Sequence, residues 1–535
     1  MTSFLGHSFS RRQFVGSVTV GLAASVAPIG SVRAQSAARY TRYNVSCEKG
    51  QEMLKSYGIA VKNLMALKPD DPRNWFRNAF IHTLDCPHGN WWFFVWHRGY
   101  LGWFEQTLRD ASGNPDFAIP YWDWTETPRI PDGMFYDALN PSNPPYDPYI
   151  KDFKTFYNYL NPALTEYWKG LSASQLQQLE TRMIPTLDSL WTQVKGDEQN
   201  GAMFATTRYA RFLTADSPEM DASTQKAVEP FMVRSGLKPV EFAKFNSVQT
   251  PSHNSAPGSG PGTFGILEGN PHNKVHNNVG GVGHIMDPLN FGYMADNLSP
   301  VDPLFFLHHS NMDRLWDVWT RKQQKLGLPT LPVGDDLKKF ENEKFEFYVN
   351  RQGKPVDQNR AGDYVNIGGF DYGYQRGFGE DIIGQPNVAI AAALSGRFSG
   401  ETAAGVGAVN VPHALLQQHA AGTLGQPLVV QVTVPRPTNG AAPREFDVLI
   451  NAPPGTTAVT PDSPYYVGTI SFFGFMRNMT GDATFTVPLP QNVQARNGEL
   501  HVQVVPHSPA LAASVSEAVR PETASVLKAV AVSTW

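Results

Sequence analysis

Cys86-Pro87-His88-Gly89-Asn90-Trp91-Trp92-Phe93-Phe94-Val95-Trp96-His97-Arg98-Gly99-Tyr100 is the stretch on which the reading of this chain turns. After His88 it reads as a helix that continues through Leu101, Trp103, Phe104, Glu105 and Leu108. Ser112-Gly113-Asn114-Pro115 supplies a Gly/Pro stop signal. The helix is apolar almost all round, so it should be buried. Yet it carries His88 at its start and His97 in its body, with His82 just upstream. A buried polar ring needs a partner. A backbone carbonyl can satisfy one such ring. Three imidazoles converging on one apolar helix point instead to a metal, because neutral imidazole is the commonest protein ligand and suits copper and zinc.

A second cluster lies far downstream. His272-Asn273-Lys274-Val275-His276 places two imidazoles one helical turn apart on one face. Asp302-Pro303 is a helix-start signal, and the run Leu304-Phe305-Phe306-Leu307-His308-His309-Ser310-Asn311-Met312-Asp313-Arg314-Leu315-Trp316 follows it. The chain thus offers two sets of three imidazoles, each able to hold one ion with positions left open. Two such sets without a bridging carboxylate favour copper over zinc.

Taken in order, C-x-H with H-x8-H (Cys86, His88, His97), P-Y-W-D-W (Pro120 to Trp124), H-x-x-x-H and D-P-x-F-F-x-H-H-x-N-x-D-R-x-W resemble the type-3 copper family of tyrosinases, catechol oxidases and polyphenol oxidases, here of bacterial type. The resemblance runs from about Arg73 to Trp319 around a long variable interior. It implies two copper ions and no organic cofactor, one ion held by His82, His88 and His97, the other by His272, His276 and His309. His308 would face away as a core residue. Cys86 becomes a candidate for a thioether to His88; the alternatives are a free buried thiol or a bridge to Cys47, the other cysteine. Phe305, one turn before His309, would pack on a ligand ring. Asp313, one turn after, would accept a ring or backbone N–H, or else pair with an arginine.

By the same resemblance Glu268 and Asn273 are the catalytic pair, holding a water that deprotonates an incoming phenol of pKa about 10. Their alternative role is capping the His272–His276 helix. The implied reaction uses O2 as co-substrate for ortho-hydroxylation of monophenols and oxidation of o-diphenols to o-quinones, making the chain a monooxygenase and an oxidase. The rivals are a catechol oxidase without monophenolase activity and a haemocyanin-like O2 carrier. The bulky Phe gate of plant enzymes has no counterpart in Tyr293–Ser299.

Composition sets the frame. The chain has 535 residues, 41% of them hydrophobic, enough for roughly two to four domains. A net charge of -4 without a basic patch argues against nucleic acid as a partner. Ser10-Arg11-Arg12-Gln13-Phe14-Val15, the apolar run 15–29 and Val32-Arg33-Ala34 read as a twin-arginine signal peptide, residues 1–34, implying a periplasmic or secreted protein with no stable membrane insertion after cleavage. Residues 35–385 read as the copper domain, a helical bundle with ligands on facing helices. Its helices are expected over Gln51–Leu67, Arg73–Ile81, the central stretch and Ser172–Val194. It closes at Phe370-Asp371-Tyr372-Gly373-Tyr374, which resembles the Tyr-x-Tyr element of plant and fungal enzymes.

Residues 386–427 read as an Ala/Gly-rich linker, and 428–535 as an all-β, sandwich-like domain. Its strands are expected at Leu428–Val434, Phe446–Asn451, Tyr465–Phe475, Ala483–Val487 and Leu500–Val505. There Glu445-Phe446-Asp447-Val448 resembles the K-F-D-V signature of the polyphenol oxidase C-terminal domain, with Glu in place of Lys. His7, His253, His284, His413, His419, His501 and His507 fall outside both sets and read as surface or structural.

Overall fold

The computed structural model describes residues 38–197, 202–255, 262–282, 291–384, 396–437, 442–474, 481–507 and 525–535. The expected signal peptide, His7, His284 and residues 386–395 of the expected linker lie outside them. Arg39–Trp535 form one compact unit.

The helical part is built on α1 (Glu48–Met65), α2 (Trp75–Asp85) and α3 (Phe93–Ser112). Asn74 caps α2, its side-chain oxygen accepting the N–H groups of Phe76 and Arg77 at 3.1 and 3.2 Å. Every residue of α2 is buried. Gly113, at φ 69°, ends α3 where the stop signal predicts. The turn between α2 and α3 needs Gly89: its φ is +69°, and a Cβ there would sit 3.0 Å from the Phe264 ring.

α4 (Phe153–Lys169) buries Phe156, Leu160 and Leu164 and was not read from the sequence. The single helix expected over Ser172–Val194 is two, α5 (Ala173–Thr181) and α6 (Leu187–Lys195). Ser172 does cap the first, in a reciprocal box with Gln175. The break follows from Met183 at φ 64° and from Pro185, which cannot donate to a helix ladder. α7 (Asn273–Gly280) is preceded by a π-helical turn, Glu268–His272, containing Pro271. α8 (Leu304–Leu326) starts on Asp302, whose carboxylate accepts the Leu304 N–H at 2.9 Å, and stops at Gly327 in the left-handed region. β1 (Tyr40–Arg42) runs parallel to β3 (Tyr372–Tyr374), Tyr40 opposite Tyr372. Among the described residues no helix is long and apolar enough to cross a membrane.

The C-terminal part is two five-stranded sheets around an apolar core of Val, Leu, Ile and Phe. β7 (Leu428–Pro435), β8 (Glu445–Ile450), β9 (Tyr466–Ser471), β10 (Asp482–Pro488) and β11 (Glu499–Pro506) match the strands expected from alternation. The linker expectation needs correction. Its described part, residues 396–427, carries β4 (Arg397–Ser399), β5 (Glu401–Ala403), β6 (Val406–Asn410) and a helix, His413–Ala420. Small residues hid these strands, for a packing reason: a Cβ on Gly407 would meet Val530 at 2.5 Å.

With β2 (Gly262–Phe264) and β12 (Ala529–Thr534) the sheet orders are β9-β8-β11-β6-β5 and β2-β10-β7-β12-β4. β2 comes from the helical region and pairs parallel with β10, so the two parts share a sheet immediately before the second histidine cluster.

Asp313 of α8 ties the helical part together. Its carboxylate meets Arg98 Nε at 2.6 Å, Arg42 Nη1 at 3.2 Å, the Tyr374 hydroxyl at 2.6 Å and the Tyr372 hydroxyl. Asp313, both arginines and Tyr372 are buried, and the two guanidinium groups keep the carboxyl below its usual range despite its burial. Asp313→Asn leaves Arg42 and Arg98 short of a counter-charge. It should lower unfolding stability by about 3–5 kcal/mol, read as a shift of the urea midpoint at unchanged slope.

Candidate metal centre

Two clusters of side chains bring their ligand atoms within 4.8 Å of one another: His82, Cys86, His88 and His97, and then His272, His276, His308 and His309. The first comes from α2, the Gly89 turn and α3; the second from the π-helical turn, α7 and α8. They face each other. The His97 and His309 rings stack at 3.9 Å with 7° between planes, and the His88 and His272 rings are 5.8 Å apart.

Tautomers distinguish ligands from bystanders. The Nδ1 of His82 lies 2.7 Å from the Asn297 carbonyl, that of His97 2.8 Å from Phe93 O, and that of His276 2.6 Å from Met294 O. The Nδ1 of His272 lies 2.8 Å from Asn273 Oδ1. Each acceptor fixes the proton on Nδ1 and leaves the Nε2 lone pair for a metal. The Nε2 atoms of His82 and His272 are buried without a hydrogen-bond partner, and those of His276 and His309 lie 3.1 Å apart. Burial pushes all these imidazoles down, His82 and His272 to about 3, so they are neutral at any ordinary pH. Buried neutral imidazoles with orphaned lone pairs, and no carboxylate among them, fit a pair of copper ions.

His308 belongs to the second cluster by distance and leaves it by chemistry. Its Nδ1 accepts the Trp124 indole N–H at 3.2 Å, so the proton of its neutral form sits on Nε2. Of the adjacent pair, His309 is the one whose Nε2 faces His276, at 3.1 Å. Trp124 lies in the buried Pro120–Trp124 run, and Trp122 N–H reaches Leu307 O at 3.1 Å. Phe305 packs on the His309 ring at 4.2 Å. Of the two roles expected for Asp313, the arginine pairing is the one observed: its carboxylate is committed to Arg42, Arg98 and two tyrosines rather than to a ligand ring.

Cys86 and Cys47 are both free thiols, so the alternative of a bridge between them does not hold. Cys47 caps α1 through Gly50 N–H. The Cys86 sulfur lies 3.3 Å from His97 Nε2 and 3.7 Å from His88 Nε2, and burial pushes its pKa up. Glu268 is buried beside the site. One oxygen accepts the Gly89 N–H at 2.5 Å, the other the Ser247 hydroxyl, and burial raises its pKa to about 8. Asn273, besides accepting from His272, donates to Ser471 O of β9 at 2.7 Å.

The sequence reading missed the residue that closes the site. Phe473, beyond β9, places its ring 4.2 Å from His276, 4.7 Å from His88, 5.7 Å from His272 and 6.1 Å from His82. The aromatic pair Phe472-Phe473 at a strand end was its only local signal. The β-sheets are pinned to the ligand helix itself. Lys274, between two ligands, meets Glu445 Oε2 at 2.5 Å, and Asn277 donates to Glu445 Oε1 at 3.2 Å and Phe472 O at 3.1 Å.

Residues 68–322 match the family model for the common central domain of tyrosinase. The chain is 26% identical over 321 residues to a chloroplastic polyphenol oxidase of Spinacia oleracea, covering 56% of this chain and 41% of that one. It is 24% identical over 357 residues to a tyrosinase of Hahella sp., covering 59% of each. It thus spans about two fifths of the length of the plant polyphenol oxidase that it matches. Among solved structures, a latent aurone synthase (polyphenol oxidase) aligns with a TM-score of 0.55 at 19% identity, over 92% of this chain and 90% of that one. A latent apple tyrosinase aligns at 0.51 and 19%, over 94% and 97%; both likenesses concern the fold, helical with β-sheets at the C-terminal end. Over residues 68–322 the chain carries the common central domain of tyrosinase, and it is similar there to polyphenol oxidases and tyrosinases.

Proposed function

We propose that this chain is a tyrosinase-type polyphenol oxidase, an exported copper oxidoreductase that uses O2 to hydroxylate monophenols and to oxidise o-diphenols to o-quinones. The observation that carries the reading is the pair of facing buried imidazole sets, in which His82, His97, His272 and His276 have their Nδ1 committed and the Nε2 atoms of His82 and His272 have no hydrogen-bond partner. When bound, the copper pair supplies the O2-reducing chemistry that the side chains lack.

The chain's own residues bind, orient and move protons. The Phe473 ring rests on His276 where the ring of a phenol would rest, so substrate takes the place of this side chain. Glu268, clamped by Gly89 and Ser247, is the acceptor for the phenol proton, with Asn273 holding the intervening water. Asn273 Nδ2 is free for that water only once Ser471 withdraws, so one movement of the end of β9, from Ser471 to Phe473, uncovers the site and releases the amide. The Cys86–His88 thioether is part of the proposal, as a constraint on one ligand ring. Export through Ser10–Val15 suits a protein that folds around its metal first.

Two other readings have observations in their favour. Glu268 and Asn273 both have structural partners, as a catechol oxidase without hydroxylase activity would allow. The Phe473 ring over the site suits a haemocyanin-like carrier, which admits only O2. Oxygen uptake by the copper-loaded chain, intact and after proteolysis between Tyr374 and Leu428, separates the three. Uptake with a monophenol and its o-diphenol is expected. Glu268→Gln should then lower the monophenol rate by about 10²-fold and leave the diphenol rate nearly unchanged. Uptake with the diphenol alone makes it a catechol oxidase; reversible O2 binding without turnover makes it a carrier. Phe473→Ala should raise the diphenol rate of the intact chain about tenfold or more, equivalent to ~1.4 kcal/mol of barrier; an unchanged rate would remove Phe473 from the shielding role.

A further inference from the structure

His253, read from the sequence as surface or structural, is neither exposed nor neutral. It sits in the 252–255 turn with its ring 1% exposed. Nε2 lies 2.9 Å from Asp85 Oδ1, and Nδ1 lies 2.6 Å from Glu343 Oε1. Both partners are carboxylates, so both ring nitrogens donate and the ring is an imidazolium. Burial opposes the charge; Asp85 and Glu343 outweigh it and raise the pKa to about 9.

The partners give the cation its role. Asp85 is the last residue of α2, directly before Cys86. Its second oxygen accepts the indole N–H of Trp96 at 2.8 Å, and Trp96 directly precedes His97. Asn254, next to His253, donates to Asp85 Oδ1 at 3.2 Å and accepts from Arg182 Nη1 at 3.2 Å. Arg182 also donates to the carbonyls of Cys86 and Thr83, both at 2.7 Å, and of His82 at 3.3 Å. One buried carboxylate thus joins the end of the His82 helix to the His97 helix, and His253 neutralises it.

We propose that His253 is a positioning residue for one copper ion only, the one held by His82, His88 and His97. By holding Asp85 it sets the spacing between the turn carrying His88 and the helix carrying His97. No bond from His253, Asn254 or Arg182 reaches His272, His276 or His309 among the described residues. The inference rests on the two-copper reading of the site.

The test is copper release from the loaded full-length protein into EDTA, followed ion by ion. Wild type should hold two ions. His253→Gln, which keeps an amide donor and loses the charge, should release one ion about 10–100-fold faster and the other at the wild-type rate, the range typical of losing a partner behind a ligand shell. Glu343→Gln, at the outer end of the network, should show the same selectivity with a smaller effect, and serves if His253→Gln does not fold. Wild-type release of both ions from both variants, or equal loss of both ions, overturns the proposal. A wild-type protein that fails to hold two copper ions overturns the two-copper reading instead.

Discussion

The structure depends on keeping imidazole lone pairs in an aromatic interior. Leaving a buried polar atom without a partner costs about 1–3 kcal/mol, and this fold accepts that cost at the Nε2 atoms of His82 and His272. It does so by securing the other side of each ring. The carbonyls of Asn297, Phe93 and Met294 and the Asn273 side chain hold the Nδ1 protons, so the rings can neither rotate nor change tautomer cheaply. Burial keeps them uncharged, which removes the repulsion that facing imidazolium groups would otherwise suffer.

The rest of the chain serves that arrangement. Asp313 and its arginines lock β1, α3, α8 and β3 behind the ligands. The β-sheets meet the site from the other side through residues of the ligand helix itself. Asn273, Lys274 and Asn277 are interleaved with His272 and His276 and bond Ser471, Glu445 and Phe472. A buried charge pair such as Lys274–Glu445 is weak evidence for stability but defines register well, since one charge without the other would be costly. Here it registers Phe473 over the histidines.

What could be read from the sequence was whatever depends on short spacing. The His88–His97 and His272–His276 intervals, the apolar α3, the Gly113 and Asp302 boundaries and the alternating strands from Leu428 all follow from local periodicity. What could not be read depends on distant partners. The resemblance names His309 over His308, but the physical reason, the Trp124 indole on His308, lies far earlier in the chain. The charge on His253 needs Asp85 and Glu343. Strands β4 to β6 are three to five residues long, and Val530 packs on the backbone at Gly400 and Gly407, so they lack the sustained Val/Ile pattern that marks a strand. Asp313 sits one turn from His309, and spacing alone could not tell that four donors from other elements would claim it.

The most direct test of the whole account is the copper content of the loaded protein set against two neighbouring variants. The unsubstituted chain should carry two copper ions. His309→Ala should carry one, and His308→Leu should keep both, because Trp124 holds the His308 lone pair away from the metal. Loss of an ion from His308→Leu with both retained in His309→Ala, or fewer than two ions in the unsubstituted chain, would contradict the account.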